Sequence, residues 1–178
     1  MNQNLGRLLV RAVIGGLFVG HGTQKLFGWF GGGGPEGTAA FFESIGLKPG
    51  KRHALAAGAA EAGGGALLAA GLATPVAAAS LIGVMATAIK QVHWPKGPWV
   101  TSGGWEYNAV LIAVLFTLAE RGPGKFSLDE ALGTTRCGTR WALFALGAGV
   151  GGALLATRPP VAEQPAPQPA EQREPVPA

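Results

Sequence analysis

The sequence predicts an all-α protein that crosses a lipid bilayer as a four-helix bundle, with a fifth, shorter apolar segment near its C-terminus. Three observations carry this reading. Only 13% of the 178 residues are charged against 48% hydrophobic, and the mean hydropathy is +0.28. Water-soluble domains carry about 25% charge, so lipid is the better solvent for such a chain. Apolar stretches also recur along the chain at lengths close to the roughly 20 residues needed to cross about 30 Å of hydrocarbon. Finally, the chain holds 30 glycines among many alanines. Small residues let membrane helices approach closely where lipid gives no hydrophobic drive to association.

The first predicted span covers residues 5–27, with Arg11 interrupting it early. A long cationic side chain near a helix end can snorkel to the headgroups, so Arg11 does not veto the span. The segment is expected to be retained, because no small-x-small cleavage site follows and His21, Gln24 and Lys25 do not suit a signal peptide. Glycines 31–34 and Pro35 break the helix, and residues 38–45 predict a short interfacial helix with Phe41, Phe42 and Ile45 facing lipid. The second span, 54–72, carries Glu61, and Thr74-Pro75 makes a tight connection into the third, 76–92.

Residues 93–104 have the Pro, Gly and Trp content of an interfacial loop. The fourth span, 105–118, is short and must extend towards Glu120. Gly122-Pro123-Gly124 stops it, and Ser127 reads as the N-cap of a short surface helix with Asp129 and Glu130 in its first turn. The fifth apolar segment, 141–156, is bracketed by Arg140 and Arg158. From residue 159 the Pro, Ala, Gln and Glu composition predicts a disordered tail. The organisation is therefore a membrane bundle over 1–132, an additional apolar helix over 133–158 and a Pro-rich tail over 159–178.

Antiparallel neighbours joined by short loops place the unusual polar residues at one end of the bundle. His21, Gln24 and Lys25 share one face of the first span at i, i+3 and i+4. Glu61 lies inside the second span, Lys90, Gln91 and His93 close the third, and Trp105, Glu106, Tyr107 and Asn108 open the fourth. The opposite end contributes little besides Arg7 and Arg11. A carboxylate within a bilayer is expensive unless paired, and Lys25 is at comparable depth. The candidate polar pocket is therefore His21, Gln24, Lys25, Glu61, His93, Trp105, Glu106, Tyr107 and Asn108. The bland alternative is a structural ion pair among snorkelling residues.

Several classes are disfavoured. The +4 net charge is scattered, with no basic run of five, so nucleic acid is not an expected partner. Cys137 stands alone, which excludes an intrachain disulfide or a CxxC pair. No HxxxH or ExxH spacing predicts a metal, and no spacing fixes His21 and His93 on a haem. The glycines at 31–34 lack a phosphate-loop pattern. Glycines 63–65 are expected to serve helix packing.

As an ordered set, His21-Gly-Thr-Gln-Lys-Leu-Phe27, Glu61-Ala-Gly-Gly-Gly65, Pro95-Lys-Gly97, Gly103-Gly-Trp-Glu-Tyr-Asn108 and Gly122-Pro-Gly-Lys-Phe-Ser-Leu-Asp129 resemble the DoxX family of small bacterial membrane proteins over about residues 5–132. The resemblance implies a four-helix membrane core in a bacterial plasma membrane. It also implies an association with oxidoreductase complexes, thiol or sulfur-compound oxidation and quinone-linked stress. A quinone is then the expected small molecule and a soluble redox enzyme the expected partner. A small-molecule transporter and a non-catalytic anchor for such an enzyme are the alternatives. No inverted repeat or pair of broken helices favours a transporter. Substrate, electron donor, orientation and oligomeric state are not encoded legibly, and the positive-inside rule barely discriminates between the two orientations.

Overall fold

The computed structural model describes residues 3–158; the predicted tail over 159–178 lies outside the described residues. The described chain is helical with no strand. Helix α1 runs Gln3–Phe27, α2 Gly34–Ser44, α3 Gly50–Ala70, α4 Thr74–Ala88, α5 Glu106–Arg121, α6 Leu128–Ala131 and α7 Thr139–Ala156. Three helical segments, Asn4–Phe27, Thr74–Lys96 and Thr139–Ala156, are each long and apolar enough to cross a membrane. The second of these continues α4 through a π-helical turn, Ile89–His93, and a 3-10 turn, Trp94–Lys96.

Helix α2 starts four residues before the expected position. Pro35 lies in its first turn, where its fixed φ and missing N–H are tolerated, so the proline opens this helix as well as ending the preceding turn. Helix α3 also starts early, at Gly50, and ends at Gly71, whose φ of 65° makes the left-handed C-cap. The expected cap on α6 is present: Ser127 Oγ accepts from the Glu130 N–H at 3.3 Å.

Contacts at the helix ends fix the path of the chain. The Arg11 guanidinium reaches Ala69 O, which puts the end of α3 beside the first half of α1. Helix α4 therefore starts at the end where α1 starts. Lys90 donates to Thr157 Oγ1 at 2.7 Å, so α4 and α7 finish together and run parallel. Helix α5 runs back between those ends, since Gly138 N–H binds Glu120 O and the Gly124 turn lies against Asn4 and Arg7. Five long helices thus traverse the bundle, and α7 packs on α4 and α5 with Ala142 and Ala145 in the same core as Leu81, Ile82 and Leu115.

The most extensive pairing is α1 against α3, and it is made by glycine. A Cβ on Gly15 would lie 2.6 Å from Gly65 O, and one on Gly22 would lie 2.3 Å from Ala62 N. Gly15 and Gly22 are one heptad apart, as are Gly58 and Gly65, so the two antiparallel helices meet along a seam of backbone. On the outer face of α1, Leu5, Leu9, Val13 and Leu17 follow at four-residue spacing and remain exposed, an apolar stripe suited to lipid.

One expectation is overturned at the end where α1 begins. Arg11 does not snorkel: it is 1% exposed. Its guanidinium donates to Pro123 O at 2.5 Å and Phe126 O at 2.6 Å. Asp129, also buried, accepts from the Ala73 and Thr74 N–H groups at 2.9 and 3.0 Å and from the Thr74 hydroxyl at 2.9 Å. It therefore caps the N-terminus of α4, where donors and helix dipole favour a carboxylate. The Gly122–Asp129 stretch is a polar clamp joining α1 to the α3–α4 turn, so this end contributes more than its sparse charges suggest.

Candidate functional site

At the other end of the bundle a cavity of about 520 Å³ lies across the α3–α4 face. Its floor comes from α3 up to its middle (Ala57, Ala60, Glu61) and α4 from its middle onward (Ser80, Val84, Thr87). Helix α2 and the residues after it form one rim, with Phe41, Phe42 and Ile45; the last turns of α7 form the other, with Gly152, Ala153 and Ala156. The three side chains expected to face lipid, Phe41, Phe42 and Ile45, also line the cavity, and Phe41 keeps 49% exposure.

The wall is mostly apolar and its polar groups are few. Glu61 is buried and its Oε2 lies 2.5 Å from Lys25 Nζ. The contact is an ion pair at hydrogen-bond distance, so Lys25 and Glu61 are each other's charge partner, and Lys25 Nζ also lies 3.4 Å from His21 O. Helix geometry explains the pairing. The Lys25 Cβ faces Gly58 across the glycine seam, and helical Cβ atoms tilt towards the N-terminus. The lysine stem is thereby aimed inward, along α1 towards Glu61, rather than out to the headgroups.

His93 lines the cavity from the π-helical turn that ends α4. Its Nδ1 donates to Gly103 O at 2.7 Å, which leaves Nε2 as the ring nitrogen free to serve a ligand. The loop that holds Gly103 is itself tight. A Cβ on Gly104 would fall 2.2 Å from Gly97 O, Trp105 N–H binds Gly97 O, and Glu106 Oε1 accepts from Val100 N–H at 2.7 Å. The Gly103–Asn108 stretch therefore orients His93 from outside the cavity.

Of the nine candidate residues, the structure brings Lys25, Glu61 and His93 to the cavity. His21 and Gln24 lie beside it and engage each other at 3.0 Å, while Gln24 Nε2 donates to Phe30 O and braces the turn after α1. Trp105 turns away and stacks on Trp94, with centroids 6.1 Å apart, in a second, apolar groove of about 360 Å³. Tyr107 is exposed, and Asn108 is buried with its amide 3.4 Å from Met85 Sδ. His53, Ser80 and Gln91 also line the cavity. They carried weak signals: His53 precedes the apolar run, Ser80 is one small polar residue among alanines, and Gln91 lies at the end of a span. Among the described residues, no three His, Cys, Asp or Glu side chains are grouped to hold a metal ion.

These features define the class: an integral membrane protein built as a helical bundle, with a largely apolar cavity confined to one end and an ion pair in its wall. The DoxX family model matches residues 6–94, and the chain belongs to that family. The matched region contains α1 to α4 with Lys25, Glu61 and His93; α5 and α7 lie beyond it. No curated protein and no solved structure matches the chain.

Proposed function

We propose that this protein is a membrane oxidoreductase component of a bacterial plasma membrane, and that its cavity binds the ring of a quinone or a similar small redox molecule. The observation that carries the reading is the Lys25–Glu61 ion pair set in the wall of a mostly apolar cavity. At about 520 Å³ the cavity falls within the usual span of small-molecule sites, roughly 300–1,000 Å³. A quinone needs donors at its carbonyl oxygens, a flat apolar slot for its ring and a proton source. Lys25 offers ammonium donors, Phe42 and Val84 offer apolar wall, and the His93 imidazole, held through Nδ1, offers Nε2.

Reduction of a quinone to a quinol takes up two electrons and two protons. No side chain here carries electrons by itself, so a soluble redox enzyme docked at the membrane surface supplies them. Lys25 hands its proton to one ring oxygen, and His93 passes to the other a proton that its Nε2 first takes from water; Lys25, partly open to that water, is reprotonated from it.

The test is titration of a polyprenyl benzoquinone into the purified protein in lipid nanodiscs, followed by tryptophan fluorescence. Saturable binding is expected, and Lys25→Met should weaken it at least tenfold, about 1.4 kcal/mol. Absence of binding, together with unchanged quinone-linked electron flow in membranes lacking the protein, would sink the reading.

A further inference from the structure

The shape of the cavity bears on how a ligand reaches it. The deep end is closed: Ser80 Oγ donates to Ala60 O across the α3–α4 contact, and Gly64 lies against Leu81 and Ser80. One turn nearer the mouth, where Gly83 lines the cavity, α4 and α7 are in contact, since a Cβ on Gly83 would lie 3.2 Å from Gly149 O. The side is different. Helix α2 packs on α1 and α3, whereas α7 packs on α4 and α5, so the two rims stand on opposite flanks of the α3–α4 pair. Between them the lining residues Phe41, Gly152 and Ala156 are all exposed. At Gly152 the groove has room, because a Cβ built there meets nothing within 4 Å.

We infer that the cavity is filled sideways from the bilayer by an amphiphile, whose polar ring meets Lys25 and Glu61 while its apolar tail leaves between α2 and α7 across Gly152. The inference rests on the quinone reading above and adds the route and the residue that sets its width. Three features favour a tailed amphiphile over a second helix as the occupant. The groove extends through one half of the bundle only, closing at Ser80, so a bilayer-spanning helix would find no seat for its other half. An ion pair stands at its inner end, which suits a polar ring and not an apolar helix face. The exit is apolar, made of Phe41, Ile45, Gly152 and Ala156, which suits a hydrocarbon chain continuous with the lipid. Gly152 and Ala156 belong to α7, outside the family-matched segment, so this wall is a specificity element contributed by the C-terminal part of the chain.

Gly147 supplies a matched control. It lies on the same helix, is exposed, has nothing within 4 Å of a built Cβ, and does not line the cavity. Two probes should be titrated into the full chain in nanodiscs: a polyprenyl benzoquinone and the same ring without its tail. Gly152→Leu should weaken the tailed probe at least tenfold and leave the tail-less ring within about twofold, and Ala156→Leu should act in the same direction. Gly147→Leu should change neither. If Gly152→Leu and Ala156→Leu both leave the tailed probe unaffected, or weaken both probes equally, lateral entry is overturned while the quinone reading stands. If neither probe binds the unaltered chain, both readings fall together. A shift of Gly152→Leu from dimer to monomer would instead assign the groove to a second copy and overturn the inference.

Discussion

Each end of the bundle sets a cation against or near a buried carboxylate, and the two ends use them in opposite ways. Where α1 begins, Arg11 and Asp129 are tied to main-chain carbonyls and N–H groups drawn from three parts of the chain. Those bonds engage both Asp129 oxygens and both Arg11 terminal nitrogens, while the Arg11 Nε has no hydrogen-bond partner among the described residues. Where α1 ends, Lys25 and Glu61 pair side chain to side chain in the wall of a mostly apolar cavity. Burial alone does not separate a structural charge from a functional one. What separates them is the partner: main-chain groups fix Asp129 and the Arg11 terminal nitrogens, whereas Glu61 is held by one side chain that can turn away.

That contrast can be broken from either side. Asp129→Ala should have the largest effect, since it strips the α4 cap from Thr74, which is fully buried, and takes the nearby negative charge from Arg11. A loss of about 3 kcal/mol or more in reversible unfolding from mixed micelles is expected; a loss below about 1 kcal/mol would show that the clamp is dispensable. Glu61→Gln should do the reverse. Lys25 keeps 22% exposure and can turn towards water, so stability should move by less than about 1 kcal/mol. Quinone affinity should fall at least tenfold, and a variant that unfolds easily yet binds normally would make the pair structural. Ser127→Ala, at the edge of the clamp, should cost about 1 kcal/mol through the lost cap on α6. The smallest effect is expected at Ala73, whose φ of 47° is left-handed. Ala73→Gly should raise the melting point slightly, by the equivalent of about 0.5 kcal/mol, as relief of strain narrowly exceeds the added chain entropy.

The helices were legible because hydropathy and breakers act locally. Pro75 and Gly122 mark the ends of helices in the sequence, as they do in the structure. The pairing of Lys25 with Glu61 was legible from depth, since each residue's distance from a helix end can be counted. Azimuth was not. Trp105 and Tyr107 open α5 at the end where the cavity lies, yet they point into a second groove and out to the surface, and only packing against α4 and α7 decides this. Arg11 was misread for a related reason. Near a helix end a snorkelling arginine and a buried one look alike, and the carbonyls that hold Arg11 belong to residues 112 and 115 positions away. The contribution of α7 to the cavity wall is of the same kind, because parallel pairing with α4 leaves no mark in either segment.

The glycine seam between α1 and α3 has a consequence for how this sequence can change over evolutionary time. Backbone atoms fill the space beside Gly15, Gly22 and Gly65, so a side chain at any of them would push the two helices apart and carry Lys25 away from Glu61. Leu5, Leu9, Val13 and Leu17, on the lipid side of the same helix, are held by nothing more specific than fluid hydrocarbon. Among descendants of this chain the aliphatic stripe should drift freely from leucine to isoleucine or valine, while the seam glycines stay fixed. A lineage that replaced one of them would have to replace the residue opposite, or lose the site with it.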